Sequence, residues 1–208
     1  MFSRPGYRRL WAARTASAWG DAFATVALSL LVLDRTGSDV GVAGVVAAEI
    51  VPVLLLAPFA GVVVDRLSPV RVMVAADLAR VVLAAVLPLV ADSVPAIYAV
   101  AFGLSAASVF FNPAAGAVLP ALVDEEELIA ANSGIWTAAV LSQIVLAPAA
   151  GAVVAWVGYG PAFWINAASF AASAAVLARL RPARPPGAGG TRAGWWHQAR
   201  EGVAVRPV

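Results

Sequence analysis

Apolar residues arrive in runs of about twenty, each closed by a break of a few polar residues, and this constrains the chain more than any other feature. A helix needs roughly 20 apolar residues to cross the ~30 Å hydrocarbon of a bilayer. Six such runs can be marked off, at residues 10–33, 40–64, 72–91, 95–122, 128–157 and 162–180. The breaks between them, at 34–39, 65–71, 92–93, 124–127 and 158–160, are short enough to be turns. Only 12% of the residues are charged against 62% hydrophobic, and the mean hydropathy is +0.85. Soluble domains carry about twice that share of charge, so these side chains cannot clothe a soluble globule. The reading is an all-α integral membrane protein with six transmembrane helices, the bundle filling residues 1–180. The first run is too long for the apolar core of a signal peptide and is read as a retained anchor. The Pro/Gly/Arg-rich stretch at 181–190 reads as a linker, so that 181–208 is a cytoplasmic segment. Trp195, Trp196 and His197 in it look like the start of an interfacial helix.

Several chemistries are excluded by residues the chain lacks. All 14 basic residues are Arg; without Lys there is neither a P-loop lysine nor a Schiff-base lysine. With no Cys there are no disulfides and no thiolate metal sites. His197 is the single histidine, so neither a histidine metal cage nor a Ser/His/Asp catalytic set can be assembled. The expectation is no enzyme activity, no metal and no cofactor. The arginines flank the apolar runs and form no aromatic-interleaved patch, which argues against a nucleic-acid partner and for a role in orientation. Arg4, Arg8, Arg9 and Arg14 lie before or early in the first run, Arg66 and Arg71 in the second break, and Arg179, Arg181, Arg184, Arg192, Arg200 and Arg206 after the sixth. Arg35 stands alone on the opposite side. By the positive-inside rule both termini are cytoplasmic, and the expectation is a multi-pass protein of the plasma membrane. The acidic run from Asp124 to Glu127 suggests a capping box, with Asp124 as N-cap of the fifth helix and Glu127 three residues on.

The second and fifth runs share a segment. Residues 54–64 read LLLAPFAGVVV and residues 144–154 read IVLAPAAGAVV, identical at seven of eleven positions with proline and glycine aligned. Equating the second helix with the fifth makes the unit three helices long. An odd number of spans turns the second copy upside down, giving a 3+3 inverted repeat whose interface marks a transport path.

The second break carries the most specific motif, Gly61-x-x-x-Asp65-Arg66-x-x-x-x-Arg71. It resembles the signature of the loop between the second and third helices of the major facilitator superfamily (MFS), except that Ser68 stands where the family has a second glycine, which should loosen the turn. Phe111-Asn112-Pro113-Ala114, Leu119-Pro120, Asn132-Ser133, Asp77-Leu78-Ala79-Arg80 and Ala167-Ala168-Ser169-Phe170 resemble the enterobactin-exporter and macrolide-efflux branch. The resemblance implies half of an MFS fold, with Gly61, Asp65, Arg66 and Arg71 as a cytoplasmic gate. It implies a secondary active transporter, an antiporter that exports small amphipathic, drug- or siderophore-like molecules in exchange for protons or another ion. The partners implied are the lipid bilayer, a small-molecule substrate, and a C-terminal six-helix half or a second copy. The alternative is a truncated membrane protein that transports nothing unless it meets a partner or dimerises.

Polar residues inside the runs mark the candidate site, because charges in a bilayer are costly and usually face a cavity. Arg14, Ser17, Asp21 and Thr25 are spaced 3, 4 and 4 and share one helical face. Ser105, Ser108 and Asn112 repeat the device in the fourth run. Asp21, near mid-span, is the first candidate for proton coupling. Glu49 is a second protonatable candidate, although a place on the outer rim fits it slightly better. Asp77 and Arg80 read as a structural pair near the cytoplasmic end of the third helix, joined to the Asp65/Arg71 cluster. Trp136 and Gln143, one heptad apart in the fifth run, either face substrate or pack between helices. Asn166, Ser169 and Ser173 read as packing groups.

Overall fold

The computed structural model describes residues 1–180, so the 181–208 linker, with His197 and the interfacial segment, lies outside the described residues. Six helices cross the bundle: α1 Pro5–Thr36, α2 Asp39–Arg66, α3 Pro69–Val86, α4 Val94–Val118, α5 Leu128–Val157 and α6 Tyr159–Leu177. All six are long and apolar enough to span a membrane. Their ends follow local chemistry. Proline opens α1 and α3 at the first helical position, where its missing N–H and fixed φ cost nothing. Gly37 closes α1 in the left-handed region at φ 59°, its N–H reaching the Leu33 carbonyl at 2.8 Å. Ser38 then caps α2, its hydroxyl accepting from the Val40 N–H at 3.2 Å.

These proline starts make α1 and α3 begin before their apolar runs, at Pro5 rather than 10 and at Pro69 rather than 72. At the fifth helix the acidic run forms a 3-10 turn, Glu125–Glu127, before α5 begins. The N-cap position therefore falls on Glu127, and the Asp124 side chain caps nothing. Asp124 pairs instead with Arg4, whose Nε also lies 3.4 Å from Glu127. The expected capping box is replaced by a latch between the N-terminal segment and the α4–α5 turn.

The helices pack as a pseudo-symmetric set. α1 lies against α6 and α5, α4 against α3 and α2, and α3 against α6. Exchanging α1 with α4, α2 with α5 and α3 with α6 maps these pairings onto themselves. The inversion is visible at the ends. The start of α1 meets the end of α4 through Arg4 and Asp124, whereas the end of α1 meets the start of α4 through Arg35 and Asp92 at 2.6 Å. The first and fourth helices therefore run antiparallel. Close approach is made by small residues, as in membrane bundles generally. A Cβ on Gly20 of α1 would lie 1.9 Å from the Ser169 hydroxyl of α6, and one on Gly44 of α2 would lie 2.7 Å from the Tyr98 hydroxyl of α4. The repeated α2 and α5 are the least covered helices. A Cβ on either Gly61 or Gly151 would meet nothing within 4 Å.

Two large apolar clusters, apart from a small third of Ala84, Ala167 and Phe170, hold the bundle. One, near the Arg-rich end, includes Tyr7, Leu10, Met73, Phe111 and Leu177. The other, near the opposite end, includes Leu28, Leu31, Leu87, Ile97 and Phe163. Polar side chains collect in the layer between them.

Candidate functional site

The centre of that layer is an ion pair on α3. Asp77 and Arg80 are three residues apart on one helical face, and Asp77 is the ninth of 18 helical residues, about 12 Å from the helix start. Both are buried, at 0% and 3% exposure. Arg80 Nη2 donates to Asp77 Oδ1, and the Ser173 hydroxyl of α6 donates to Asp77 Oδ2 at 2.6 Å. The guanidinium lies between two aromatic faces, 4.4 Å from the Phe111 centroid on α4 and 4.4 Å from the Phe170 centroid on α6. Desolvated cation–π contacts of this kind contribute about 2 kcal/mol. This corrects the expectation of a pair near the cytoplasmic end. The early start of α3 at Pro69 sets Asp77 deeper, and α4 and α6 seal its face. Asp65 and Arg71 are exposed and form no ion pair within 4 Å among the described residues, so no cluster joins them to Asp77 and Arg80.

Two chambers flank this pair. One, of about 200 Å³, is lined by Asp21, Thr25, Glu49, Arg80, Ser105 and Asn166, among others. The other, of about 180 Å³, is lined by Arg14, Ser17, Asp21, Arg80, Ser108 and Asn112, with Phe111 and Ala139. Asp21, Arg80 and Ser108 border both. The spaced stripe of α1 and its counterpart in α4 are thus brought together around one polar interior. Asp21 lies 16 residues into the 32-residue α1, about 24 Å from either end. Glu49, half-buried and the eleventh residue of α2, lines the first chamber and does not sit on a rim. Its carbonyl, one turn before Pro52, accepts from the Ser105 hydroxyl.

Trp136 and Gln143 do not join the site. α5 turns Ala131, Ile135, Ser142 and Ala150 inward and contributes only Ala139 to the chambers, leaving Trp136 and Gln143 exposed. Gly61, Asp65 and Arg66 occupy the last turns of α2, and Arg71 the third position of α3. Ser68 between them has φ −66° and ψ 119°. Any residue adopts that backbone, so serine fits where a glycine was expected and the turn is not loosened. Arg71 also borders an apolar groove of about 480 Å³, formed with Val63, Leu67, Val72, Ala79 and Phe110.

Asn166 and Ser173 were assigned to packing from sequence, yet Ser173 holds Asp77 and Asn166 lines the first chamber. The amide of Asn166 is buried with neither its oxygen nor its nitrogen hydrogen-bonded, and the Ser17 hydroxyl and Arg80 Nε are likewise unpaired. A signal for the aromatic clamp was present in the chain: an arginine in mid-span needs a partner, and Phe111 and Phe170 occupy facing helices. Chemically, the arrangement offers an uncompensated carboxylate, two guanidiniums and several spare hydrogen-bonding groups in a confined polar space.

The sequence of this chain matches the Major Facilitator Superfamily over residues 10–202. It is similar to a Mycobacterium tuberculosis protein described as an uncharacterized MFS-type transporter, 33% identical over 165 residues, covering 75% of this chain and 34% of the relative. An uncharacterized MFS-type transporter of Sinorhizobium fredii is 31% identical over 206 residues, covering 97% of this chain and 50% of the relative. The chain therefore spans half or less of the length of these curated relatives. Six membrane-length helices, a buried polar interior and these matches agree: the chain is a multi-pass membrane protein and belongs to the Major Facilitator Superfamily.

Proposed function

We propose that the chain forms one bundle of a proton-coupled secondary transporter for small amphipathic solutes, with Asp21 as the coupling carboxylate. The observation that carries this reading is the position of Asp21. It lies at the middle of α1, borders both chambers, and has no ion pair within 4 Å among the described residues. A carboxylate so placed can hold a proton drawn from either side, and its neutral form removes the cost of a charge in the bilayer. Asp77 is unsuited to the task, because both its oxygens are already engaged by Arg80 and Ser173. Glu49 is a second protonatable group in the same interior. Outward transport across the plasma membrane, with both termini cytoplasmic, rests on the branch resemblance and on the placement of arginines. Alternating access needs two bundles, and the chain spans half of the Sinorhizobium relative, so a C-terminal half or a second copy completes the path. The chain on its own then transports nothing. The test is solute flux in proteoliposomes holding the protein at the length found in its native membrane. Asp21→Asn abolishes proton-linked flux at unchanged expression; unchanged flux removes Asp21 from the role.

A further inference from the structure

We propose that the chamber beside Arg14 is an anion subsite, built to take the carboxylate of an organic acid as the polar group of the transported solute. The proposal rests on the transporter reading for the identity of the ligand as cargo, though not for its binding. Arg14 lies nine residues into α1, about 14 Å from the helix start, and lines the 180 Å³ chamber. No carboxylate lies within 4 Å of it among the described residues. A guanidinium inside an apolar span is costly without a partner, and an anion in the chamber would supply one. Arg80 supplies a second cation to the same space. Its position is fixed by Asp77 and the two phenyl rings, Nη1 is only 3.5 Å from Ser108, and Nε has no acceptor. Arginine has five donors in a planar fork matched to a carboxylate, and several of these remain free. The Ser17 hydroxyl, buried at 4% exposure and unpaired, completes the donor set with Asn112.

The charges facing this chamber can be followed helix by helix. α1 presents Arg14 and Asp21; α3 presents Arg80, already answered by Asp77; α2 presents Glu49 in the neighbouring chamber. α4, α5 and α6 line the two chambers without a charge, through residues such as Ser108, Asn112, Ala139 and Asn166. Asp21 is thus the one carboxylate lining this chamber, which it shares with Arg14 and Arg80. When Asp21 takes up a proton, its negative charge no longer repels an anion in that space, and the anion binds more tightly. Anion and proton therefore favour one another and travel together, driven by the gradient of either. That sign differs from the exchange implied by the branch resemblance.

The probes are benzoate and benzylamine, equal in shape and opposite in charge, added to the native-length protein in lipid nanodiscs and followed by equilibrium dialysis of the labelled compound. Benzoate is expected to bind saturably, more tightly as pH falls from 8 to 6 (an experimental range of about two units, over which benzoate itself stays ionised). Arg14→Gln should weaken it about tenfold, the size of one charge-assisted hydrogen bond, whereas Arg14→Lys should retain binding and Asp21→Asn should tighten it. Benzylamine should show no saturable binding. The subsite is overturned by equal binding of the two probes, by absence of benzoate binding to the unaltered protein, or by binding that Arg14→Gln leaves unchanged. If either Arg14 variant fails to elute as a single species, the pH dependence of the unaltered protein decides: affinity flat or falling toward low pH rejects the proposal. Proton-linked flux without benzoate binding refutes the subsite alone, and benzoate binding without such flux refutes the transporter reading alone.

Discussion

Removing the charge of Asp77 while keeping its shape should destabilise the bundle more than most single substitutions. In Asp77→Asn the amide oxygen accepts from Arg80 and the amide nitrogen donates to the Ser173 hydroxyl oxygen, so the perturbation is the loss of one charge beside Arg80. A buried ion pair broken from one side costs about 3–5 kcal/mol, because the remaining charge is left uncompensated. The retained hydrogen bond places Asp77→Asn at about 3 kcal/mol. Arg80→Met strands Asp77 and also loses the two aromatic faces at 4.4 Å, which places it near 5 kcal/mol. The double variant Asp77→Asn/Arg80→Met removes both charges, and the thioether fills the space between Phe111 and Phe170 with favourable sulfur–aromatic contacts. With both charges gone no buried charge is stranded, and the amide introduced at position 77 stays bonded to Ser173, so the double variant should lie within about 2 kcal/mol of the parent. The coupling energy is then about 6 kcal/mol, far above the ~0.5 kcal/mol scatter of independent sites. The assay is reversible unfolding by SDS in mixed micelles, followed by tryptophan fluorescence. Single variants that cost under about 1 kcal/mol, or a double variant equal to their sum, would refute the argument that Arg80 and Asp77 are held as a desolvated pair.

Three smaller expectations follow from packing. Gly20→Ala forces a Cβ against the Ser169 hydroxyl and Asn166 Oδ1 and should cost about 1–3 kcal/mol by overpacking; adding Ser169→Gly should recover part of this in the same unfolding assay. Ser68→Gly should leave stability unchanged or lower it by less than about 1 kcal/mol, since the native backbone needs no glycine and the freed residue gains entropy when unfolded. Trp136→Leu and Gln143→Leu should leave benzoate binding unchanged, because both side chains point away from the chambers; a clear loss of binding would place α5 at the site after all.

The helices were legible in the chain because bilayer thickness imposes a length on every apolar run, and the 3+3 pattern because proline and glycine recur at Pro58/Pro148 and Gly61/Gly151. The stripe of Arg14, Ser17, Asp21 and Thr25 was legible for a similar reason: on an apolar helix, polar residues at helical spacing define a face. The helices that carry few polar residues gave no such guide. α5 is largely apolar all round, so periodicity does not say which way it faces, and Trp136 and Gln143, read as facing either substrate or a neighbouring helix, are exposed on it. The depth of Asp77 and Arg80 depended on where α3 starts, which is set by Pro69 rather than by the apolar run. The unpaired amide of Asn166 was invisible for a different reason. A buried asparagine reads as packing until the hydrogen bonds of its neighbours are known, and here Ser169 donates to the Asn166 carbonyl and leaves the side chain free.

In the proposed transport cycle, the two chambers meeting at Asp21 and Arg80 open alternately to the two sides of the membrane. The chain has no cysteine, so single reporters can be introduced without background. Thr25→Cys marks the chamber far from the Arg-rich end, and Asn112→Cys the chamber nearer to it. The deciding measurement is the labelling rate of each by a membrane-impermeant maleimide, applied from one side of sealed vesicles holding the native-length protein, before and after a proton gradient is imposed. Reciprocal changes are expected, one site gaining reactivity as the other loses it, with no response in either when Asp21 is replaced by Asn. Rates that move independently, or respond equally without Asp21, would contradict the proposed cycle.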